Sequence, residues 1–324
     1  MKNILVTGGA GYIGSHAVVE LLDSGYNVIV LDNLENGYIE LVDKRAKFYK
    51  GDIRKIESFE NIFIENKIDA VMNFAGYIKV GESVIEPNKY YLNNTYGVMN
   101  VVEVMKKYNV KNIIFSSTAA VYGEVKCEGL VYEDYPTNPI NAYGMSKLMA
   151  EKIITDAAKA YGINYSIFRY FNVGGAHEKY EIGQKGDGVT ALIPIILQVA
   201  KGEREKISIY GDDYPTKDGT GIRDYIHVVD LVKAHVAALP TLFENISGIY
   251  NLGNGTGFSV LEMIDSAKKV TNKNIEIEVI ERRMGDPASV VASSEHARKI
   301  LGWKPVYTNV DDIIKTAWNW YKKL

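Results

Sequence analysis

The chain has one cysteine, Cys127, among 324 residues, so no disulfide can close within it. That suits a reducing compartment, and a cytoplasmic location is expected. No apolar run approaches the roughly 20 residues that a membrane-spanning helix needs. Met1-Lys2-Asn3 leads straight into an apolar run, so no signal peptide is expected. No block of lysine and arginine stands out, and the formal net charge is −3. The electrostatic footprint of a nucleic-acid binder is therefore missing. An anionic ligand would have to be gripped by a few local cations. The five histidines show no ligand spacing, and no metal is expected. There is no internal repeat and no low-complexity tract.

What is present is ordinary globular composition, 47% hydrophobic and 24% charged. A chain of this length can build its own core. In the first half, short apolar runs alternate with helical patterns. The runs are Ile4-Leu5-Val6, Val28 to Leu31, Ala46 to Tyr49, Ala70 to Phe74, Ile113-Ile114-Phe115 and Asn164 to Phe168. Helical patterns cover 13–24, 56–66, 89–108 and 143–161. Buried runs alternating with helices predict an α/β fold with a doubly wound parallel sheet. The rhythm changes near Gly175. A loop is expected over 178–188, helices over 193–200, 228–239, 260–270 and 312–320, and strands over 207–210 and 275–280. The expected division is 1–175 and 176–324, a large unit and a smaller C-terminal α/β unit, with some exchange of strands and helices between them.

Thr7-Gly8-Gly9-Ala10-Gly11-Tyr12-Ile13-Gly14 follows the first strand and opens a helix. Glycines there let backbone approach a pyrophosphate, which the free N–H groups and dipole of the helix N-terminus favour. Asp32 ends the next strand, placed to accept hydrogen bonds from adenosine ribose hydroxyls and to repel a 2′-phosphate. The pattern is Rossmann-like, and the expected cofactor is NAD.

Tyr143-Gly144-Met145-Ser146-Lys147 puts a phenol and an ammonium on one helical face. Lowering a tyrosine by three units to serve as a base near neutrality takes roughly 4 kcal/mol. An ammonium about 5 Å away supplies roughly 3 kcal/mol at an effective dielectric of about 20. A positive nicotinamide ring would supply the rest. Ser116-Ser117-Thr118 ends the fifth run, at the ligand edge of such a sheet. Thr118 is expected either to bond the same substrate hydroxyl or to cap the strand end.

These motifs resemble the extended short-chain dehydrogenase/reductase family. Added to Asp32-Asn33-Leu34, Gly51-Asp52-Ile53-Arg54, Phe74-Ala75-Gly76, Arg169-Tyr170-Phe171-Asn172, Asp218 to Val228 and Arg282 to Asp286, they resemble its UDP-galactose (UDP-glucose) 4-epimerase branch. The resemblance implies NAD contacts from Gly8, Gly11, Tyr12, Ile13, Gly14, Asp32, Asn33, Asp52, Ile53, Phe74, Ala75, Gly76, Asn93, Ser116, Tyr143, Lys147 and Tyr170. It implies a UDP-hexose held by Thr118, Tyr143, Asn172, Leu192, Tyr210, Arg223, Arg283, Asp286 and Val290, the last seven in the smaller, UDP-sugar-binding half or at its edge. The arginines also suit a diphosphate on chemical grounds, because guanidinium forks match its oxygens.

The implied reaction oxidises C4 to a 4-keto sugar, turns the sugar over and re-reduces it with the bound cofactor. Tyr143, Lys147 and Thr118 are the expected catalytic residues. A nucleotide-sugar 4,6-dehydratase would need an Asp-Glu pair after Thr118, where Ala119-Ala120 stands. A decarboxylase would need a site for a C6 carboxylate, and none is recognisable. An NAD-binding regulatory protein remains the non-enzymatic alternative, which Tyr143→Phe would separate. Ile78 stands where many relatives have lysine, and Ala191 where they have asparagine. Val290 falls where a bulky tyrosine accompanies restriction to plain hexoses, so a pocket that also admits UDP-GlcNAc or UDP-GalNAc is expected. The resemblance further implies a homodimer; Val98, Val101, Val102 and Met105 make an apolar stripe that either serves this contact or faces the sheet.

Overall fold

The computed structural model describes residues 1–126, 129–186, 190–283 and 286–324. Cys127, residues 284–285 of the Arg282-to-Asp286 motif and the end of the expected 178–188 loop lie outside the described residues.

Seven parallel strands form the main sheet among the described residues. They are β1 (Asn3–Thr7), β2 (Asn27–Asp32), β3 (Lys47–Lys50), β4 (Ala70–Asn73), β5 (Asn112–Ser116), β7 (Asn164–Tyr170) and β11 (Gly248–Leu252). Their order is β11-β7-β5-β4-β1-β2-β3. The short β6 (Leu130–Val131) lies outside this sheet. Alternation along each strand divides the core. Ile4 and Val6 face α1 (Tyr12–Asp23) and α8 (Val228–Phe243). Leu5 faces the opposite layer, built from α2 (Glu60–Glu65), α5 (Gly97–Lys107) and α6 (Ala142–Tyr161). The strand order reverses between β1 and β4, which opens the crevice where doubly wound folds bind ligands.

The helix expected over 89–108 is a chain of segments. α3 (Val80–Ile85) and α4 (Pro87–Tyr90) lead into a π-helical turn, Tyr91–Tyr96, before α5. The Tyr91–Tyr96 sequence has no glycine or proline to mark this turn. Of the two roles open to the stripe, the structure shows the sheet-facing one: Val98, Val101, Val102 and Met105 are all buried in the core against the sheet, not in a partner contact. Within 89–108, Leu92, Tyr96 and Met99 are the exposed large apolar residues, and Met149 is exposed on α6.

The second layer contains β8 (Asn172–Gly174), α7 (Leu192–Lys201), β9 (Ile207–Tyr210), β10 (Ile222–His227), β12 (Gly257–Ser259), α9 (Val260–Thr271), β13 (Ile277–Ile280), β14 (Ser289–Ala292) and α11 (Val310–Tyr321), whereas α10 (Glu295–Leu301) packs in the main-sheet core beside α8. Here β10 sits between β12 and β14, β14 pairs with β6, and β8 pairs with β10. β9 and β13 form a separate parallel pair. Between these elements the chain returns to the main sheet: α8 covers one face and β11 forms an edge.

Candidate active site

The crevice is built at the carboxyl ends of β1, β2 and β4. Gly8 has φ +73°, and a Cβ there would lie 2.5 Å from the Ala75 nitrogen. A Cβ at Gly14 would lie 2.1 Å from the Gly8 carbonyl oxygen. Only bare backbone allows the turn after β1, the start of α1 and the Phe74-Ala75-Gly76 segment to close up in this way. Gly11 is the N-cap of α1 and has no side-chain cap, so helix N–H groups are left facing the crevice.

Asp32, at the end of β2, accepts hydrogen bonds from Leu34 N at 2.8 Å and Ala10 N at 3.0 Å. Burial pushes its carboxyl upward, and these N–H groups oppose that. Asn33 donates to Asp52 at 3.3 Å. Burial would also raise Asp52, but bonds from Arg54 and Asn33 outweigh it and hold the carboxyl at about 2. Gly8, Gly11, Asp32, Asn33, Asp52, Ile53, Phe74, Ala75, Gly76 and Asn93 all line one cavity. The donor set fits a dinucleotide: a helix N-terminus for pyrophosphate and carboxylates for ribose and adenine. Tyr12 and Ile13 lie just beyond, in the first turn of α1. Tyr12 donates through its hydroxyl to Gly175 O at 2.6 Å, and Ile13 packs on the core.

Glu35, Asn36, Gly37 and Tyr77 also line this cavity and were not among the expected residues. The Asn36-Gly37 dipeptide after Asp32 is a turn signal that would have flagged that loop. Tyr77 OH donates to Glu35 Oε1 at 2.5 Å. Arg54 donates to Tyr77 OH at 3.0 Å and to Glu35 Oε2 at 3.0 Å. Loops from β2, β3 and β4 are thus joined, and the Tyr77–Glu35 bond reaches across the width of β1, about 10 Å. It forms a strap at the rim of the adenosine end.

At the other end, α6 starts with an Asn141 cap, whose side chain accepts from Gly144 N at 2.8 Å. Tyr143 packs with Tyr77, Tyr90 and Ala120. Burial raises its phenol, and a hydrogen bond with Thr118 works the other way. Lys147 is 3% exposed and donates to Ser116 O at 2.9 Å. Burial pushes its ammonium down to about 8, opposed by the Glu151 carboxylate. The protein alone therefore does not make the phenol acidic, and the positive charge of an oxidised cofactor is required for the expected base. Of the two roles expected of Thr118 the structure shows the cap: its Oγ1 accepts from Ala120 N at 3.1 Å at the start of a short 3-10 turn, Ala119–Tyr122, beside the Tyr143 phenol. Tyr170 and Ser116 are hydrogen-bonded through their hydroxyls.

The expected sugar-nucleotide residues form several groups. Arg223 on β10 is paired with Asp286 and lies beside Val290 in the β10–β14 register. Val290 packs against the Val121 and Tyr122 cluster that follows Thr118. The Arg283 guanidinium lies 3.6 Å from the Tyr210 ring centroid. Asn172 follows β7 and donates to Asp224 O at 3.1 Å. Leu192 opens α7 and packs in a separate core with Ile209 and Tyr225.

The sheet, the switch-point crevice and the Tyr143–Lys147 pair beside it define a dinucleotide-dependent enzyme of the Rossmann type. Residues 4–253 match the NAD dependent epimerase/dehydratase family model. The chain belongs to that family. It is 51% identical to UDP-glucose 4-epimerase of Lacticaseibacillus casei, over 98% of this chain and 96% of that protein. Among solved structures, a UDP-glucose 4-epimerase superposes with a TM-score of 0.97 at 51% identity, covering 99% of this chain and 98% of the other. The NAD complex of the Brucella ovis UDP-glucose 4-epimerase superposes with a TM-score of 0.95 at 41% identity, covering 98% of each.

Proposed function

We infer that this chain is an NAD-dependent epimerase interconverting UDP-galactose and UDP-glucose, with Tyr143 as the group that moves the proton. The observation that carries the assignment is the Tyr143–Lys147 face of α6, set against Thr118 beside a crevice fit for NAD. NAD, when bound, supplies the hydride acceptor and donor at C4. Tyr143 takes the proton from O4 as C4 is oxidised, and gives it back after the 4-keto sugar has turned over. Thr118 bonds the same oxygen and fixes its distance from the phenol. Lys147 supplies positive charge to the phenolate. Arg223 and Arg283 grip the diphosphate, and Asp286, Tyr210, Asn172 and Leu192 hold the nucleotide, so the sugar swings while the UDP stays bound.

Incubating the purified protein with UDP-galactose and no added NAD, while following the anomeric and C4 protons by NMR, tests this directly. Conversion to UDP-glucose is expected; no conversion with cofactor present defeats the assignment.

Val290 gives the far wall of the sugar pocket a small side chain, which supports turnover of UDP-GlcNAc and UDP-GalNAc as well. The cofactor unit is residues 1–175 with α8 and β11 returning to it, and the rest of 176–324 is the UDP-sugar unit. The protein is a homodimer joined through the face carrying Leu92, Tyr96, Met99 and Met149, all exposed in the single chain. Sedimentation at single-chain mass at micromolar concentration would refute this. The cytoplasm is its location, supported by a sequence with only one cysteine.

A further inference from the structure

A buried ion pair touches the reacting end of the sheet without being part of the groups assigned above. α6 presents Tyr143, Lys147 and Glu151 at four-residue intervals, so the three lie on one face. The end of β5 and the two residues after it present Ser116, Ser117 and Thr118. The two rows are fastened rung by rung. Lys147 donates to Ser116 O at 2.9 Å, Ser117 Oγ donates to Glu151 Oε1 at 2.5 Å, and Thr118 meets the Tyr143 phenol.

Glu151 is 2% exposed and Arg169, on β7, is 5% exposed. Arg169 forks onto both Glu151 oxygens, Nε at 3.0 Å and Nη2 at 2.6 Å. Its remaining nitrogen donates to Tyr122 OH and to Glu133 O, both at 3.2 Å. Tyr122 OH donates to Asn251 Oδ1 at 2.7 Å. Burying such a pair is a poor way to gain stability, because apolar residues of like volume often do as well. Its place one turn beyond Lys147 on α6, bonded to the residue before Thr118, gives it a different use.

We propose that Glu151 is a positioning residue for the reaction: through Ser117 it fixes the strand end that carries Thr118, and through its charge it keeps the Lys147 ammonium protonated beside Tyr143. Arg169 gives the buried carboxylate two charge-assisted hydrogen bonds and offsets part of the charge that reaches Lys147. The other titratable groups packed around this cluster are Tyr143 on α6, Tyr170 on β7, Tyr122 on the 3-10 turn and Tyr90 on α4. The Glu133 carboxylate is turned to Asn251 N at 2.8 Å. The proposal rests on Tyr143 being the proton-transfer group.

The test uses the NAD-loaded full chain, with kcat and KM for UDP-galactose followed across pH. Ser117→Ala removes one rung and leaves the ion pair. It should lower kcat by about tenfold through misplacement of Thr118, with KM nearly unchanged. Glu151→Gln with Arg169→Met removes both charges, so neither is left buried alone. It should move the alkaline limb of the kcat profile down by a fraction of a pH unit, because Lys147 loses the support of its neighbour on α6 while the opposing guanidinium goes as well. Glu151→Asp should retain the limb of the parent. A parent-like kcat in Ser117→Ala overturns the first half of the proposal. A double variant that keeps the parent limb with a uniformly lower kcat makes the pair merely structural. Should the double variant fail to fold, Glu151→Gln alone, refolded with NAD, reads the same limb, and Ser117→Ala decides independently. Substantial turnover in Tyr143→Phe would instead defeat the assignment of the base, whatever these variants do.

Discussion

Replacing Lys147 by methionine should make the cofactor-free protein more stable at neutral pH while nearly removing its activity. Burial holds this ammonium at about 8, against 10.5 for an ordinary lysine. The difference amounts to about 3 kcal/mol of folding free energy lost wherever the group is charged in both states. Between about 8 and 10.5 the unfolded chain binds more protons than the folded one, so stability rises with pH across that interval. Methionine fills similar volume without the charge, but it leaves Ser116 O without the hydrogen bond it receives at 2.9 Å, which costs about 1 kcal/mol. The variant should therefore be about 2 kcal/mol more stable than the parent at pH 7. The order should reverse near pH 10.5, where the parent lysine is neutral and still bonded. In turnover, the phenolate loses roughly 3 kcal/mol of Coulomb support, about a hundredfold in rate. Urea titrations at the two pH values, with kcat measured on NAD-loaded protein, give both quantities. A variant less stable than the parent at pH 7, or a stability gap unchanged by pH, would refute the reasoning.

Gly14→Ala places a methyl group 2.1 Å from the Gly8 carbonyl oxygen, and the turn has to shift. The purified variant should carry less than a tenth of the NAD of the parent, measured by acid release, with its fold intact by circular dichroism. Tyr77→Phe breaks the strap from Glu35 and Arg54 and should raise the NAD dissociation rate by about tenfold, read by exchange with labelled cofactor. If Val290 forms the far wall of the sugar pocket as proposed, Val290→Tyr should reduce turnover of UDP-GlcNAc at least about tenfold relative to UDP-glucose.

Much of the cofactor half is legible from residues alone. β1, β2, β4 and β5 are short continuous apolar runs because both of their faces are covered, and each ends in a turn signal. β10 is hidden because Arg223, Asp224 and His227 interrupt its apolar character. Asp224 is buried all the same, held by N–H groups of Asn254, Gly255 and Ala292, partners that no local pattern reveals. β11 contributes two large buried residues, Tyr250 and Leu252, but its polar Asn251 breaks the run. The apolar stripe of α5 is visible in sequence, yet a stripe does not say whether a sheet or a partner will cover it. Tyr143 and Lys147 are legible because their spacing is itself chemical, and Thr118 because it follows the end of an apolar run at the ligand edge of the sheet. Glu151 and Arg169 are not, because a charged residue on a helix or strand looks solvated until the fold closes over it.

The position of β11 has a consequence for how the molecule is made. As the chain leaves the ribosome, β1 to β7 emerge without the strand that borders β7 and without α8, which covers Val18, Leu21, Phe168 and their neighbours. That apolar surface stays uncovered until α8 has emerged, and the edge of β7 stays unpaired until residue 252 is out, about 4–16 s after β7 at about 5–20 residues per second. The nascent chain is thus exposed to premature pairing with other edges for that interval, and a holdase bound to β7 would be released by the arrival of β11.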